Sequence, residues 1–198
     1  MSPKPKKPSA DAAGRSPRSP SSPPSPDIEP LYDAAALAAG VGRLGERISR
    51  ELGGEDPLLV GLLGGSLIFL ADLVRAIAPP IRFELIHVAS AASAESGVVR
   101  IEYPLPVELA GQSVLVVKDV VSSGVTEPYL EQQLRDHGAR AVRFAALIDI
   151  PDDRKTGFEA AYSVFTTPRQ GLLVGYGLKH EGRYGNLPFV GRLRGEGG

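Results

Sequence analysis

With 198 residues and 42% apolar content, the chain has material for one hydrophobic core plus an appendage. It contains no Cys, which excludes disulfides, thiolate nucleophiles and thiolate metal sites together. The near-neutral total of -1 hides an asymmetry: residues 1–26 carry Lys4, Lys6, Lys7, Arg15 and Arg18 against Asp11, a net of +4, so residues 27–198 carry -5. Dense in Pro and Ser, residues 1–27 are expected to form a disordered basic tail that solvates or tethers. The tail has no aromatic residue on which bases could stack, so a nucleic-acid partner is not expected. The longest apolar stretch, 57–74, is interrupted by Gly61, Gly64, Gly65, Ser66 and Asp72, short of the ~18 unbroken residues of a membrane span. Without a leader-like apolar segment either, the expectation is a cytoplasmic protein with no membrane partner.

Asp33 is a suitable N-cap, and Leu37, Val41, Leu44, Ile48 and Leu52 recur at helical spacing until Gly53-Gly54, predicting an amphipathic helix. Residues 57–63 (PLLVGLL) read as a buried strand and Gly64-Gly65 as a tight turn. A helix over 66–77 follows, opened by the cap-competent Ser66 and stopped by Pro79-Pro80. Then come a strand over 81–88, a small, polar, mobile loop over 89–97 and a short hairpin strand over 98–103. Residues 114–119 form the next core strand, 127–137 a helix with Leu130 and Leu134 inward and Gly138 past its end, and 141–149 a further strand. Two short strands near 162–165 and 172–176 lead into a C-terminal loop, with 194–198 frayed. Strands alternating with helices predict an α/β fold on a parallel sheet. His87, His137 and His180 fall in separate elements, so no metal site is expected, and His137 beside Gly138 is assigned to a helix C-terminus. Neither a GxSxG elbow nor a GxxxxGK[ST] loop is present to indicate a hydrolase or NTPase.

The stretch richest in chemistry is VLVVKDVVSSGVT, residues 114–126. Its apolar run suits a buried parallel strand, and Ser122, Ser123, Gly124, Val125 and Thr126 make a turn whose N–H groups and hydroxyls converge on an anion at a helix N-terminus. The plainer alternative is a well-capped strand-to-helix turn that binds nothing. Together with LVGLLGGSLIFLADLVRAI at 59–77 and VGYGLKHEGRYGNLPFVGRL at 174–193, it resembles, in the same order, three motifs of the hypoxanthine-guanine phosphoribosyltransferase family. The resemblance covers residues 28–193. It implies the type I phosphoribosyltransferase fold, a parallel sheet flanked by helices with a small hood formed by N- and C-terminal segments. It also implies transfer of ribose 5-phosphate from phosphoribosyl pyrophosphate (PRPP) to a purine nitrogen, with magnesium present. Such a reaction needs metal ions, cationic or backbone donors, and carboxylates where charge develops.

Matched to those motifs, many charges are replaced. The acidic pair before the loop is Lys118-Asp119, leaving Asp119 to bind the ribose hydroxyls or simply to cap the loop. The family's catalytic Asp position is Ser122, a poor base at neutral pH, where a positioned acid-base group contributes about 10² to 10⁴ in rate. Residues 122–126 remain suited to a 5′-phosphate. In the pyrophosphate loop, Leu63, Gly64 and Gly65, the lysine is replaced by Leu63; the Ser-Tyr pair of the hood loop is Ser90-Ala91. The base pocket is implied at Ile150, Leu172 and Leu173, with Ile150 in place of a purine-reading lysine and Leu172 in place of a stacking aromatic. A metal-binding Asp is Lys179 and a later Arg is Gly185. Lys118 and Lys179, the latter beside His180, Glu181, Arg183 and Tyr184, could supply a metal ion's positive charge, or could belong to a solvated loop.

The expectation is therefore a phosphoribosyltransferase-like protein, non-catalytic or impaired, to which no catalytic residue or resident cofactor is assigned. It would bind a purine nucleotide, PRPP or another phosphorylated small molecule, or partner an active relative. The alternative is an active, magnesium-using purine phosphoribosyltransferase of purine salvage; a third is a structural subunit with an empty loop. The family's habit of forming dimers and tetramers implies a homo-oligomer or a mixed oligomer.

Overall fold

The computed structural model describes residues 28–90, 99–102, 108–169 and 171–194, of which 88–90 and 99–102 by backbone alone. The tail at 1–27, the greater part of the 89–97 loop and the end at 195–198 lie outside the described residues. The chain begins with β1 (Ile28–Tyr32), α1 (Ala34–Leu52), β2 (Leu58–Leu62), α2 (Leu67–Ala76), β3 (Arg82–Ser90) and β4 (Val99–Glu102). It continues with β5 (Ser113–Val121), α3 (Thr126–Asp136), β6 (Ala141–Asp149), a 3₁₀ turn at Pro151–Asp153, β7 (Tyr162–Thr166), β8 (Leu173–Val174) and β9 (Val190–Leu193).

Asp33 caps α1 by accepting the Ala36 N–H at 2.7 Å, and the row Leu37, Val41, Leu44, Ile48 and Leu52 is the face that α1 buries. The expected cap of α2 does not form: Ser66 already has helical dihedrals, and its hydroxyl donates back to the Leu62 carbonyl. At the end of α3, His137 Nδ1 lies 2.7 Å from the Gln133 carbonyl oxygen, and Gly138, at φ +96°, turns the chain out of the helix.

β3, β2, β5, β6 and β7 lie side by side in that order and parallel, with β4 antiparallel outside β3. Period-two alternation in β5 assigns the layers: Leu115 and Val117 pack with α1 and α2, whereas Val114 and Val116 pack with α3. Burying Phe69, Leu70 and Leu73 of α2 in the first layer stabilises the fold by roughly 1.5–3 kcal/mol each. The chain winds from β2 outward to β3, then crosses to place β5 on the other side of β2. At such a reversal the loops leaving the two strands diverge, and a crevice opens beyond their C-terminal ends.

β1, β9 and β8 form a separate antiparallel sheet, the hood implied for the two chain ends. Its strands are poorly marked locally. IEPLY carries Pro30 and VGRL carries Gly191, and the pairing joins residues as distant as Ile28 and Leu193. Pro30 is tolerated because β1 is an edge strand whose register slips between Pro30 and Tyr32. The strand expected over 172–176 is only Leu173–Val174, since Gly175 at φ +96° and Tyr176 at φ +51° leave the extended region. Apolar packing of Leu173, Tyr176, Leu178 and Val190 joins the hood to the α1/α2 layer, and the Tyr176 hydroxyl donates to Asp72 of α2. Burial, and then that bond, push the Tyr176 phenol well above its usual pKa. Tyr176→Phe removes a hydrogen bond to a charged group, so urea unfolding should show a loss of about 1.5–3 kcal/mol; an unchanged midpoint would mean that packing alone seats the hood.

Candidate phosphate and nucleotide site

The turn after β5 is shaped by three bonds from the segment after β6. Arg154 Nη1 donates to the Ser122 carbonyl at 2.7 Å, the Lys155 N–H donates to the Ser123 carbonyl at 2.8 Å, and Thr156 Oγ1 donates to the Gly124 carbonyl at 2.8 Å. With these carbonyls drawn towards 154–156 and the Val125 N–H given to Ser123 Oγ at 3.4 Å, the first-turn N–H groups of α3 are the donors that a helix start offers an anion. Gly124, at φ +70°, is required twice over, because a Cβ there would lie 2.6 Å from Arg154 Cδ and 2.7 Å from Thr156 Oγ1. Arg154 is itself held by Asp149 and lies over the Phe158 ring, 5.9 Å from its centroid. Asp149, Arg154, Thr156 and Phe158 also line an open cavity of about 390 Å³ behind the turn. Arg154 and Thr156 shape the candidate site, and sequence reasoning missed both. They act on backbone atoms 32 residues away, and no spacing signals such a contact.

Asp119 faces the other way. Its Oδ1 accepts the Val120 N–H at 2.8 Å, and the loop at 63–65 crosses directly over Oδ2, so that a Cβ on Gly65 would lie 1.9 Å from that oxygen. The hood then closes on the same residue, for a Cβ on Gly177 would lie 2.2 Å from the Gly65 carbonyl oxygen. Asp119, Gly65 and Gly177 thus stack across the crevice between β2 and β5. Leu63 is 40% exposed, and its N–H is already given to the Ile86 carbonyl at 2.8 Å. Gly64, at φ +135°, reverses the chain beside it. Of the expected hood-loop pair, Ser90 ends β3 and Ala91 lies outside the described residues.

The residues assigned to a base pocket separate into two packing groups. Ile150 and Leu173 are buried in the α1/α2 layer, where the Ile150 N–H donates to the Val121 carbonyl; Leu172 is half-buried against the hood cluster with Tyr184, Leu187 and Phe189. Lys179 is exposed, with its stem over Gly185, where a Cβ would lie 2.9 Å from Lys179 Cγ. No ion pair joins Lys179 to another of the described residues. Lys118 is not a companion cation. Strand alternation turns it to the α3 face, where its ammonium donates to Glu127; the side chains are 18% and 3% exposed. Of the two readings left open for these lysines, a metal-like charge or a solvated loop, neither describes Lys118, which is neutralised by Glu127 within the fold; Lys179 is open to solvent.

A family profile described as the phosphoribosyl transferase domain matches residues 27–181. The hypoxanthine-guanine phosphoribosyltransferase of Streptococcus pneumoniae is 36% identical over 156 residues, covering 78% of this chain and 86% of that one. The enzyme of the same name from Mycobacterium tuberculosis is 39% identical over 171 residues, covering 82% and 84%. Among solved structures, a hypoxanthine-guanine phosphoribosyltransferase from Bacillus anthracis superposes with a TM-score of 0.76 at 32% identity, covering 84% of this chain and 97% of its own. The geometry above also makes the role of Arg154 measurable. Arg154→Lys keeps the charge but cannot reach Asp149 and the Ser122 carbonyl together. Denaturant unfolding should show a loss of about 1–3 kcal/mol; no loss would mean that Lys155 and Thr156 suffice.

Proposed function

The chain belongs to the hypoxanthine-guanine phosphoribosyltransferase family, and on that premise we propose that it binds a purine nucleoside 5′-monophosphate, or PRPP, with the transfer chemistry lost or impaired. The observation that carries this reading is the turn at 122–126 at the start of α3, whose carbonyls at 122, 123 and 124 are tied back by Arg154, Lys155 and Thr156 and whose Val125 N–H is given, at 3.4 Å, to Ser123 Oγ. Binding of this kind is a property of backbone conformation. It is compatible with Ser122 in place of the family's acid-base carboxylate, with Leu63 in place of the pyrophosphate-loop lysine, and with Ile150 packed into the core. Asp119, with Oδ1 accepting the Val120 N–H and Oδ2 covered by Gly65, would accept hydrogen bonds from the ribose hydroxyls only once the 63–65 loop shifts.

Magnesium does not suit the donors at hand. One oxygen of Asp119 is engaged by the Val120 N–H and the other lies beneath Gly65; the family's metal-facing position is Lys179; and among the described residues no three His, Asp or Glu side chains gather to hold an ion. No step is therefore routed through a metal held by the protein. The second reading, a purine phosphoribosyltransferase that still turns over, is favoured by the 36% and 39% identity to proteins named as such enzymes. Either activity is consistent with an oligomer, which the family commonly forms.

The test is calorimetric titration of the full chain with IMP, GMP and PRPP, each with and without magnesium, with AMP and inorganic phosphate as controls. Saturable IMP or GMP binding that does not need magnesium is expected, and Ser123→Ala with Thr126→Ala should weaken it by more than about 1 kcal/mol. An absence of binding by all three ligands, or an affinity indifferent to the double substitution, would remove the turn as the site. Efficient nucleotide formation from PRPP and hypoxanthine or guanine would replace the impaired reading with the active one.

A further inference from the structure

Lys118 is a residue of β5 just before the phosphate turn, and Glu127 stands in the first turn of the helix just after it. Their side chains meet on the α3 face of the sheet, so the pair spans the base of residues 119–126 from the side opposite Asp119. Locally, the junction has a long bond from the Val125 N–H to Ser123 Oγ, at 3.4 Å. Val125, at the N-cap position of α3, offers no side-chain acceptor to the helix N–H groups. Arg154, Lys155 and Thr156 hold the turn by its carbonyls at 122–124, short of the first residue of α3, Thr126.

Electrostatics gives the pair a second reason to exist. Glu127 is 3% exposed, and a carboxylate buried that deeply without a cation is strongly unfavourable. Unpaired, it would also place a negative charge beside donors meant for a phosphate, cancelling part of the attraction of the helix N-terminus. Paired with Lys118, it contributes no net charge. A buried ion pair contributes less to stability than its partners' charges suggest, and its better-attested use is to select one register over others.

We propose that Lys118 and Glu127 are positioning residues, a charge-neutral clasp that sets the shape of the phosphate turn, so that the lysine at 118 acts on the turn and not on the ligand. This rests on the reading of 122–126 as a phosphate site, and the experiment separates the two. The probe is IMP, titrated calorimetrically into the full chain without magnesium, alongside hydrogen-deuterium exchange of the 122–126 amides in the ligand-free protein. Lys118→Met should weaken IMP about tenfold, a loss of about 1.4 kcal/mol, and speed exchange across 122–126. The exchanged pair, Lys118→Glu with Glu127→Lys, should restore slow exchange and bring affinity back to within about threefold of the starting protein.

Rescue of this kind is not available to a lysine that touches the ligand, because the exchanged protein carries a carboxylate at 118. An exchanged pair as weak as, or weaker than, Lys118→Met would therefore overturn the clasp, as would a Lys118→Met protein with unaltered affinity and exchange. If Lys118→Met does not fold, Lys118→Gln with Glu127→Gln retains a hydrogen bond without charge. Affinity within about threefold of the starting protein would then support the clasp, and a loss beyond about tenfold would overturn it. If the unaltered protein itself ignores IMP, the phosphate reading falls, and the exchange measurements alone decide whether the pair holds the turn.

Discussion

A turn between a buried strand and a helix carries as many carbonyls as N–H groups, and it presents a surplus of donors only if its acceptors are satisfied elsewhere. The bonds from Arg154, Lys155 and Thr156 to the carbonyls of Ser122, Ser123 and Gly124 meet that condition. They also explain why the β6–β7 connection begins as it does. The 3₁₀ turn at Pro151–Asp153 brings the chain back alongside the β5 turn, and Arg154 is anchored on Asp149, the last residue of β6. Two parallel neighbouring strands thus brace each other's exits.

The second constraint is close approach of backbone. The loop at 63–65 passes so near Asp119, and the hood so near the loop, that any side chain at Gly65 or Gly177 would meet atoms at about 2 Å. Glycine at these positions is a requirement of layering, and Gly177 at φ +99° needs its conformational freedom as well. The hood is therefore more than a cover added to the sheet. Its seat on α2 through Tyr176 and Asp72, and its contact with Gly65, make the crevice a shared product of the sheet and the two chain ends.

What the amino-acid sequence discloses divides by the range of the interactions involved. The row from Leu37 to Leu52 and the apolar runs of β2, β5 and β6 were legible because burial imposes a local period. The turn between β5 and α3 was legible because Ser, Gly and Thr after an apolar run mark a tight strand-to-helix connection, and Gly124 takes φ +70° there. β1 and β9 were not, since each is stabilised by a partner at the other end of the chain and Pro30 speaks against a strand. Ser66 has a capping residue type, but its hydroxyl found the Leu62 carbonyl first. Charge was the least legible feature. Lys118 read in isolation is a cation at a ligand site, and only the strand's alternation, together with a carboxylate nine residues on, shows that its charge is already spoken for.

That last case bears on how the site divides between binding and chemistry. Donors supplied by backbone depend on the path of the chain, which is held by core packing, by glycine at a few crowded points and by ties such as Arg154 to Asp149. Side-chain charges that organise a leaving group or move a proton depend on single residues and can change without disturbing the path. Ser122 illustrates the separation on the reading proposed above: its carbonyl helps to shape the turn through Arg154, whereas its hydroxyl would stand in for the carboxylate that the resemblance implies. The same residue can serve the first role fully while being unsuited to the second, because one role needs only a peptide group and the other needs a pKa within reach of the working pH. On the reading proposed above, the protein keeps the part of its site that is written in the backbone, and a charge reversal at 118 is tolerated because the new cation is absorbed by the fold before it can reach the ligand.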